Sequence, residues 1–107
     1  LNLGNAYAAT LHCNNLVISD VWVEGDRDDN FAFQNKLVIR IKDENGVYTQ
    51  CGSKSYMHLE NTSPAYSGML SAALTAQTAK KRVEIAINTN NPTSLSNQLA
   101  FIRVYED

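Results

Sequence analysis

Long apolar runs are missing from this chain of 107 residues, and with them any stretch of the ~20 residues needed to cross a bilayer as a helix. No basic amphipathic face stands in for one, so insertion into a membrane surface is not expected either. Positive charge is scarce: 9 Lys and Arg against 11 Asp and Glu leave a formal charge of -2 and a pI near 5.6. That balance removes the general attraction on which nonspecific nucleic-acid binding depends. Charged residues of both signs reach 19%, under the roughly 25% of an average domain. Asn, Ser and Thr are plentiful instead, which predicts a surface polar more than ionic. Gly-x-Ser-x-Gly, a phosphate-binding glycine loop and His-Glu-x-x-His are all absent, so no cofactor is implied and a binding role is more economical than an enzymatic one.

Cysteine is nearly absent. Cys13 and Cys51 are the only two, and they read either as a disulfide of an oxidising compartment or as buried free thiols. The low charge, the Asn, Ser and Thr content and the start at Leu1 favour the disulfide and a secreted protein whose signal peptide has been removed; a trimmed chain would also start without Met. The length predicts a single domain, residues 1–107, with one core.

Hydrophobic periodicity gives the order of elements. Residues 1–15 have no firm period, and residues 16–24 carry Leu, Val, Ile and Trp as a strand with apolar groups on both faces. Residues 25–30 form a polar turn. Residues 36–42 alternate, with Leu37, Ile39 and Ile41 inward and Arg40 and Lys42 outward. Asn45-Gly46 then predicts a type I′ hairpin returning through residues 47–51. Residues 52–63 read as a loop, and Ser63-Pro64 as a helix entry in which Ser caps and Pro takes the first position. Tyr66, Met69, Leu70, Ala73, Leu74 and Gln77 recur at helical spacing up to about Ala79. Beyond a basic break, Val83, Ile85 and Ile87 alternate as a strand, residues 89–97 read as a loop, and residues 99–105 as the last strand. The order β, β, β, α, β, β is that of a mainly β OB-fold, a five-stranded barrel with its helix between strands 3 and 4; an α+β sheet under one helix would share it.

Several constellations fail on inspection. Asp26, Asp28 and Asn30 alternate like the first ligands of a calcium loop, but Phe31 and Leu37 stand where Gly and Glu are required. His12 with Cys13, and His58 after Cys51, are zinc-ligand types, yet adjacent side chains on a strand point to opposite faces. A Cys51–His58 nucleophile pair has no cue placing a base beside the thiol. Trp22 and Tyr7, Tyr48, Tyr56, Tyr66 and Tyr105 could stack on a sugar or anchor a protein, with Tyr56 the freest and Tyr66 on the helix's apolar stripe. Asn61-Thr62-Ser63 matches the N-glycosylation triplet, with Pro64 directly after it.

The helix-to-strand junction and the chain's end resemble the pertussis-like B subunits of the subtilase cytotoxin and typhoid toxin group, which are bacterial secreted lectins. The resemblance runs from Met69 through Ala73-Leu74 and the basic break to Val83-x-Ile85, and resumes at Ser96-Asn97-x-Leu99. Asn15-Leu16-Val17-Ile18 is similar to the first strand, and Cys51 to a family half-cystine. The resemblance implies an OB-fold subunit that closes into a homopentamer with its helices around a pore, binds host-cell glycans and delivers a separate catalytic A subunit. The family serine that holds a sialic acid carboxylate aligns with Asn14, and neighbouring polar contacts align with Thr10 and Asp43; Ile87 replaces a family aromatic, which leaves sialic acid specificity open. The second family half-cystine falls at Val38 and Ile39, so a bridge here must join Cys13 to Cys51. The function expected is thus a secreted, non-catalytic glycan-binding toxin subunit. A secreted structural or inhibitory module, binding a protein through the Tyr56 loop, is the alternative.

Overall fold

The computed structural model describes residues 9–106. Its elements are β1 (Thr10–Val23), β2 (Lys36–Lys42), β3 (Tyr56–Glu60), α1 (Tyr66–Ala79), β4 (Arg82–Asn88) and β5 (Ser96–Val104). The strands close in the order β1-β2-β3-β5-β4, the fourth neighbouring the first. All pairs are antiparallel except β3 with β5. Five strands closed on themselves, with the helix between the third and fourth, make an OB-like barrel.

Closure depends on β1, which is long enough to serve two neighbours. Its first half pairs with β4 and its second half with β2, and Val17 faces both Arg82 and Lys42. Register shifts fall between Cys13 and Leu16 and between Ile18 and Asp20. Asn15 lies at the first with φ 57°, a left-handed conformation that Asn tolerates better than most residues. A bulge bends its strand and increases the twist, so the Asn14-Asn15 pair lets one ribbon turn the corner of the barrel.

Inside the barrel lie Leu16 and Ile18, Leu37, Ile39 and Ile41, Met57 and Leu59, Val83, Ile85 and Ile87, and Leu99. The helix plugs one end through Met69, Ala73 and Ala76. Two alanines on the buried side let the backbone approach closely. Tyr66 and Leu70 pack partly against the core, whereas Leu74 is 44% exposed; the buried stripe is narrower than the apolar periodicity predicts. Ser63 Oγ accepts from the Ala65 amide at 3.2 Å, but the capping position is Ala65 itself. Ser63 and Pro64 thus shape the approach to the helix and stand outside it.

The third strand is the main correction. Residues 47–51 form no strand: Tyr48 makes one bridge to Lys42, and Val47 is 59% exposed. Residues 56–60, predicted as loop, are β3, with Met57 and Leu59 inward opposite Ile39 and Leu37. Three polar or amphipathic residues, Tyr56, His58 and Glu60, separate only two apolar ones, so the period is too short to stand out. Asn45 is not among the residues of positive φ, whereas Gly46 lies at φ 79°. The Gly46 amide donates to the Asp43 carbonyl at 3.0 Å and the Asp43 amide to the Val47 carbonyl at 2.8 Å. That is a type I turn with a left-handed glycine after it, where type I′ was expected. β1 begins six residues before, and β5 three residues before, the sequence-predicted starts at 16 and 99.

Candidate functional site

The three residues aligned with the family's sugar contacts are held by partners of their own. Thr10 Oγ1 donates to Asn88 Oδ1 at 3.4 Å, at the exposed start of β1. Asn14 Oδ1 accepts from the Tyr105 hydroxyl at 3.1 Å. Thr10 and Asn14 are four positions apart on one strand, about 13 Å at strand rise, further than one sugar ring spans. Asp43 directly follows β2, and its Oδ1 accepts the amides of Asn45 at 2.8 Å and Val47 at 3.0 Å. Its carboxylate builds the turn. Ile87 points into the core at 1% exposure, so no stacking residue stands at the fourth family position.

A second concentration of binding chemistry lies on the outside of β1, β2 and β3. Trp22, Val38, Arg40 and Tyr56 occupy the positions that alternate with the core residues, and cross-strand pairing sets Trp22 beside Val38 and Arg40 beside Tyr56. The segment between β1 and β2 folds over this face. Phe33 is buried beside Trp22, edge to face, and Tyr56, at a tilt, with ring centroids 6.0 and 5.5 Å away, and Phe31 stands edge-on to Phe33 at 5.3 Å. Trp22 and Tyr56 are themselves edge to face at 6.0 Å. This second small core explains why Val38, on the outer face, is 0% exposed. Trp22 and Tyr56 remain half-buried.

Polar groups fix the covering segment. Arg27 pairs with Glu24 at 2.7 Å and with Asp29 at 2.8 Å, and its guanidinium lies 4.7 Å from the Phe31 ring centre. Hydrogen bonds from Arg27 and Trp22 hold the Glu24 carboxyl below its usual range, and the Arg27 hydrogen bond does the same for Asp29. Asp26 Oδ1 accepts from Asn35 Nδ2 at 2.8 Å. Of the candidate calcium-loop residues, Asp26 thus serves a hydrogen-bonded turn, in which the Asn30 amide also donates to the Arg27 carbonyl at 3.1 Å. Among the described residues no group of three His, Cys, Asp or Glu side chains is placed to hold a metal.

Arg40 is the unusual member of the face. Its guanidinium carbon sits 3.5 Å from the centre of the Tyr48 ring and 5.4 Å from that of Tyr56, and Lys42 Nζ lies 4.7 Å from the Tyr48 ring. These are cation–π distances. Arg40 makes no ion pair with a described carboxylate, and its Nε is buried with no hydrogen-bond acceptor. Leaving such a donor unmet costs about 1–3 kcal/mol. The sequence placed Arg40 and Lys42 outward and offered Trp22, Tyr48 and Tyr56 as stacking residues; nothing in it brought them together, because residues 25–30 read as a polar turn and Phe31 and Phe33, just beyond, carried no expectation. Tyr7 lies outside the described residues.

Elsewhere the chemistry is closed. Cys13 and Cys51 form a disulfide, so Cys51 has no free thiol to pair with His58. His58 Nδ1 lies 2.7 Å from Ser96 Oγ, which in turn lies 2.6 Å from Thr93 Oγ1. Glu60 Oε2 is 3.3 Å from His58 Nε2, near enough for an ion pair but too poorly aligned for a hydrogen bond. The Ser, His and carboxylate trio invites comparison with a hydrolase triad, but Ser96 is 0% and His58 1% exposed, and no substrate reaches them. Burial pushes the His58 pKa down, against the attraction of Glu60. His12 pairs with Glu84 at 2.9 Å and stands edge-on to Phe101, away from the bridge. A cleft of about 550 Å³ between the helix end and β1, lined by Ser19, Lys42, Gln77 and Lys80 among others, carries no aromatic side chain.

A scan against protein-family models and a search of curated proteins each found no match.

Proposed function

We propose that the chain is a secreted, non-catalytic glycan-binding subunit that assembles into a pentameric bacterial toxin, engages host-cell carbohydrate and carries a separate catalytic subunit. The observation that carries the binding half of this reading is the outer face of β1, β2 and β3, where Trp22 and Tyr56 stand half-buried on a rigid sheet. Aromatic rings held in this way offer sugars an apolar platform at low entropic cost, and this is the face through which OB-folds take oligosaccharides and oligonucleotides. An acidic chain favours the former. Secretion is supported by the Cys13–Cys51 disulfide, a bond that cytosolic thiol chemistry seldom permits.

Assembly is supported by the helix. Leu74 is exposed and Leu70 half-buried on its outer side, among Ser67, Ser71 and Thr75, a surface that small residues leave open to close packing. Five weak sites presented together gain ~100-fold or more in avidity. Light scattering tests the assembly and a glycan array the binding: a five-fold mass with array signal is expected. A monomer with no signal on any sugar would remove the reading in favour of a protein-binding module.

A further inference from the structure

The glycan reading says nothing about the charge of the sugar, and Arg40 does. Its planar group is stacked on Tyr48 and set near Tyr56, and Lys42 approaches the same Tyr48 ring. Arg40 and Lys42 are alternate residues of β2 and share its outer face. Arg27, on the covering segment nearby, is matched by two carboxylates. Arg40 is matched by none among the described residues, although Asp20 is its cross-strand partner. No guanidinium N–H of Arg40 donates to a described protein atom, and Nε is buried besides. A guanidinium fork packed on one ring, with a second nearby, and left without an acceptor is preorganised for a planar or tetrahedral oxyanion.

Taking the glycan-binding reading as given, we propose that Arg40, packed on Tyr48 near Tyr56 and assisted by Lys42, receives the carboxylate or sulfate of an acidic sugar whose ring packs on the Tyr56–Trp22 surface. The oxyanion takes the outer edge of the guanidinium. Lys42 adds charge without geometry, because an ammonium is a point donor. The chain's net charge of -2 supplies no general attraction for anions, so their binding would rest on this local cluster.

Calorimetric titration with three probes of similar length tests the assignment: a heparin hexasaccharide (sulfated), a hyaluronan hexasaccharide (carboxylated) and maltohexaose (neutral). One or both acidic probes are expected to bind at least tenfold tighter than maltohexaose and to weaken as salt rises. Arg40→Gln should lose that tenfold advantage, Arg40→Lys should recover only part of it, and Lys80→Gln, removing equal charge at the helix end, should keep it. A thermal melt of each variant confirms that it is folded. Equal affinity for all three probes, or an unaltered Arg40→Gln, would overturn the charge assignment while leaving the glycan reading in place. Binding to no oligosaccharide, or tighter binding to a dodecamer of thymidylate, would overturn both.

Discussion

The two longest connections of the barrel are both irregular and both polar, yet they are held by opposite means. The segment between β1 and β2 ties itself down. Arg27 reaches Glu24 and Asp29, Asp26 reaches Asn35, and the Asn35 amide reaches the Gly25 carbonyl at 3.0 Å, while Phe31 and Phe33 fold onto the sheet below. The segment between β2 and β3 shapes its first turn through Asp43, and from there it is held from a distance. Cys51 is bonded to Cys13, 38 residues away. Asn97 Nδ2 donates to the carbonyls of Cys51 at 2.9 Å and Gly52 at 3.0 Å. A connection can be fixed by its own residues or by remote ones, and only the first kind can be read locally.

Cutting the covalent tie should separate the two most strongly. Closing a loop of this length contributes about 4 kcal/mol in the chain-entropy account. The double variant Cys13→Ala, Cys51→Ala is therefore expected to melt about 15–20 °C lower than the parent. Hydrogen exchange should speed first over residues 47–55 and last over residues 25–35. Calorimetry with and without reductant checks the size, and an unchanged midpoint would mean that the bond holds nothing.

Gly52 tests the remote tie at finer scale. Its φ is +65°, and a Cβ there would fall 2.5 Å from Ile87 Cδ1 and 2.7 Å from Asn97 Nδ2. Gly52→Ala thus adds a clash to a left-handed strain of about 1–2 kcal/mol, and displaces the amide that clamps the segment. Gly46, at φ +79°, has nothing within 4 Å of its Cβ position; Gly46→Ala should cost the strain alone, about 1–2 kcal/mol. Urea denaturation curves of the two variants should therefore differ in midpoint, with Gly52→Ala the weaker, and equal midpoints would deny the close approach.

The same distinction explains what the sequence disclosed. β2 emerged with its bounds intact because Leu37, Ile39 and Ile41 alternate within seven residues of a strand buried on its inner face. The helix ended at Ala79 as expected, and the barrel order followed from element types alone. β3 was missed because its placement depends on Ile39 and Leu37, which are supplied by another strand. The first half of β1 was missed for a related reason: Thr10 to Asn15 is exposed except for Cys13, so no core face imposes a period, and pairing to β4 alone makes it a strand. Of the candidate site, Trp22, Tyr48 and Tyr56 were visible as residue types. Their grouping around Arg40 is a product of register and of the covering segment, and no local pattern carries it.

Between the two extremes stands the loop before β5, where a local turn meets a remote anchor. Thr93 Oγ1 accepts the amides of Leu95 at 3.1 Å and Ser96 at 3.0 Å, while Ser96 Oγ meets His58. His58 faces Glu60, Lys36 and Lys54, and burial is the largest influence on it, pushing its pKa below the ordinary 6.5. The folded protein therefore keeps His58 neutral where the unfolded chain takes up a proton. Stability that is complete above about pH 6.5 is lost as pH falls towards the folded value, with a slope of at most about 1.4 kcal/mol per pH unit. Melting curves from pH 7.5 to 5 should show this decline, and His58→Asn, whose amide can still meet Ser96, should flatten it. A wild-type curve level over that range would mean that His58 is protonated in place.

The smallest effect is expected where the tie is most local. Arg27 joins Glu24, Asp29 and the Phe31 ring, and every one of those partners lies within four positions of it. Exposed pairs at such short spacing add little to global stability, since the unfolded chain keeps the groups close and water screens them. Arg27→Gln should leave the melting midpoint almost where it is. It should nevertheless release Phe31, which is 37% exposed, and raise amide exchange over residues 25–35 without altering residues 47–55. That pattern is the converse of the disulfide variant's. If Arg27→Gln instead loosened both segments together, the first connection would owe its shape to the barrel as much as the second does, and the covering of Val38, Trp22 and Tyr56 would have to be credited to the aromatic contacts of Phe33 rather than to the ion pairs above them.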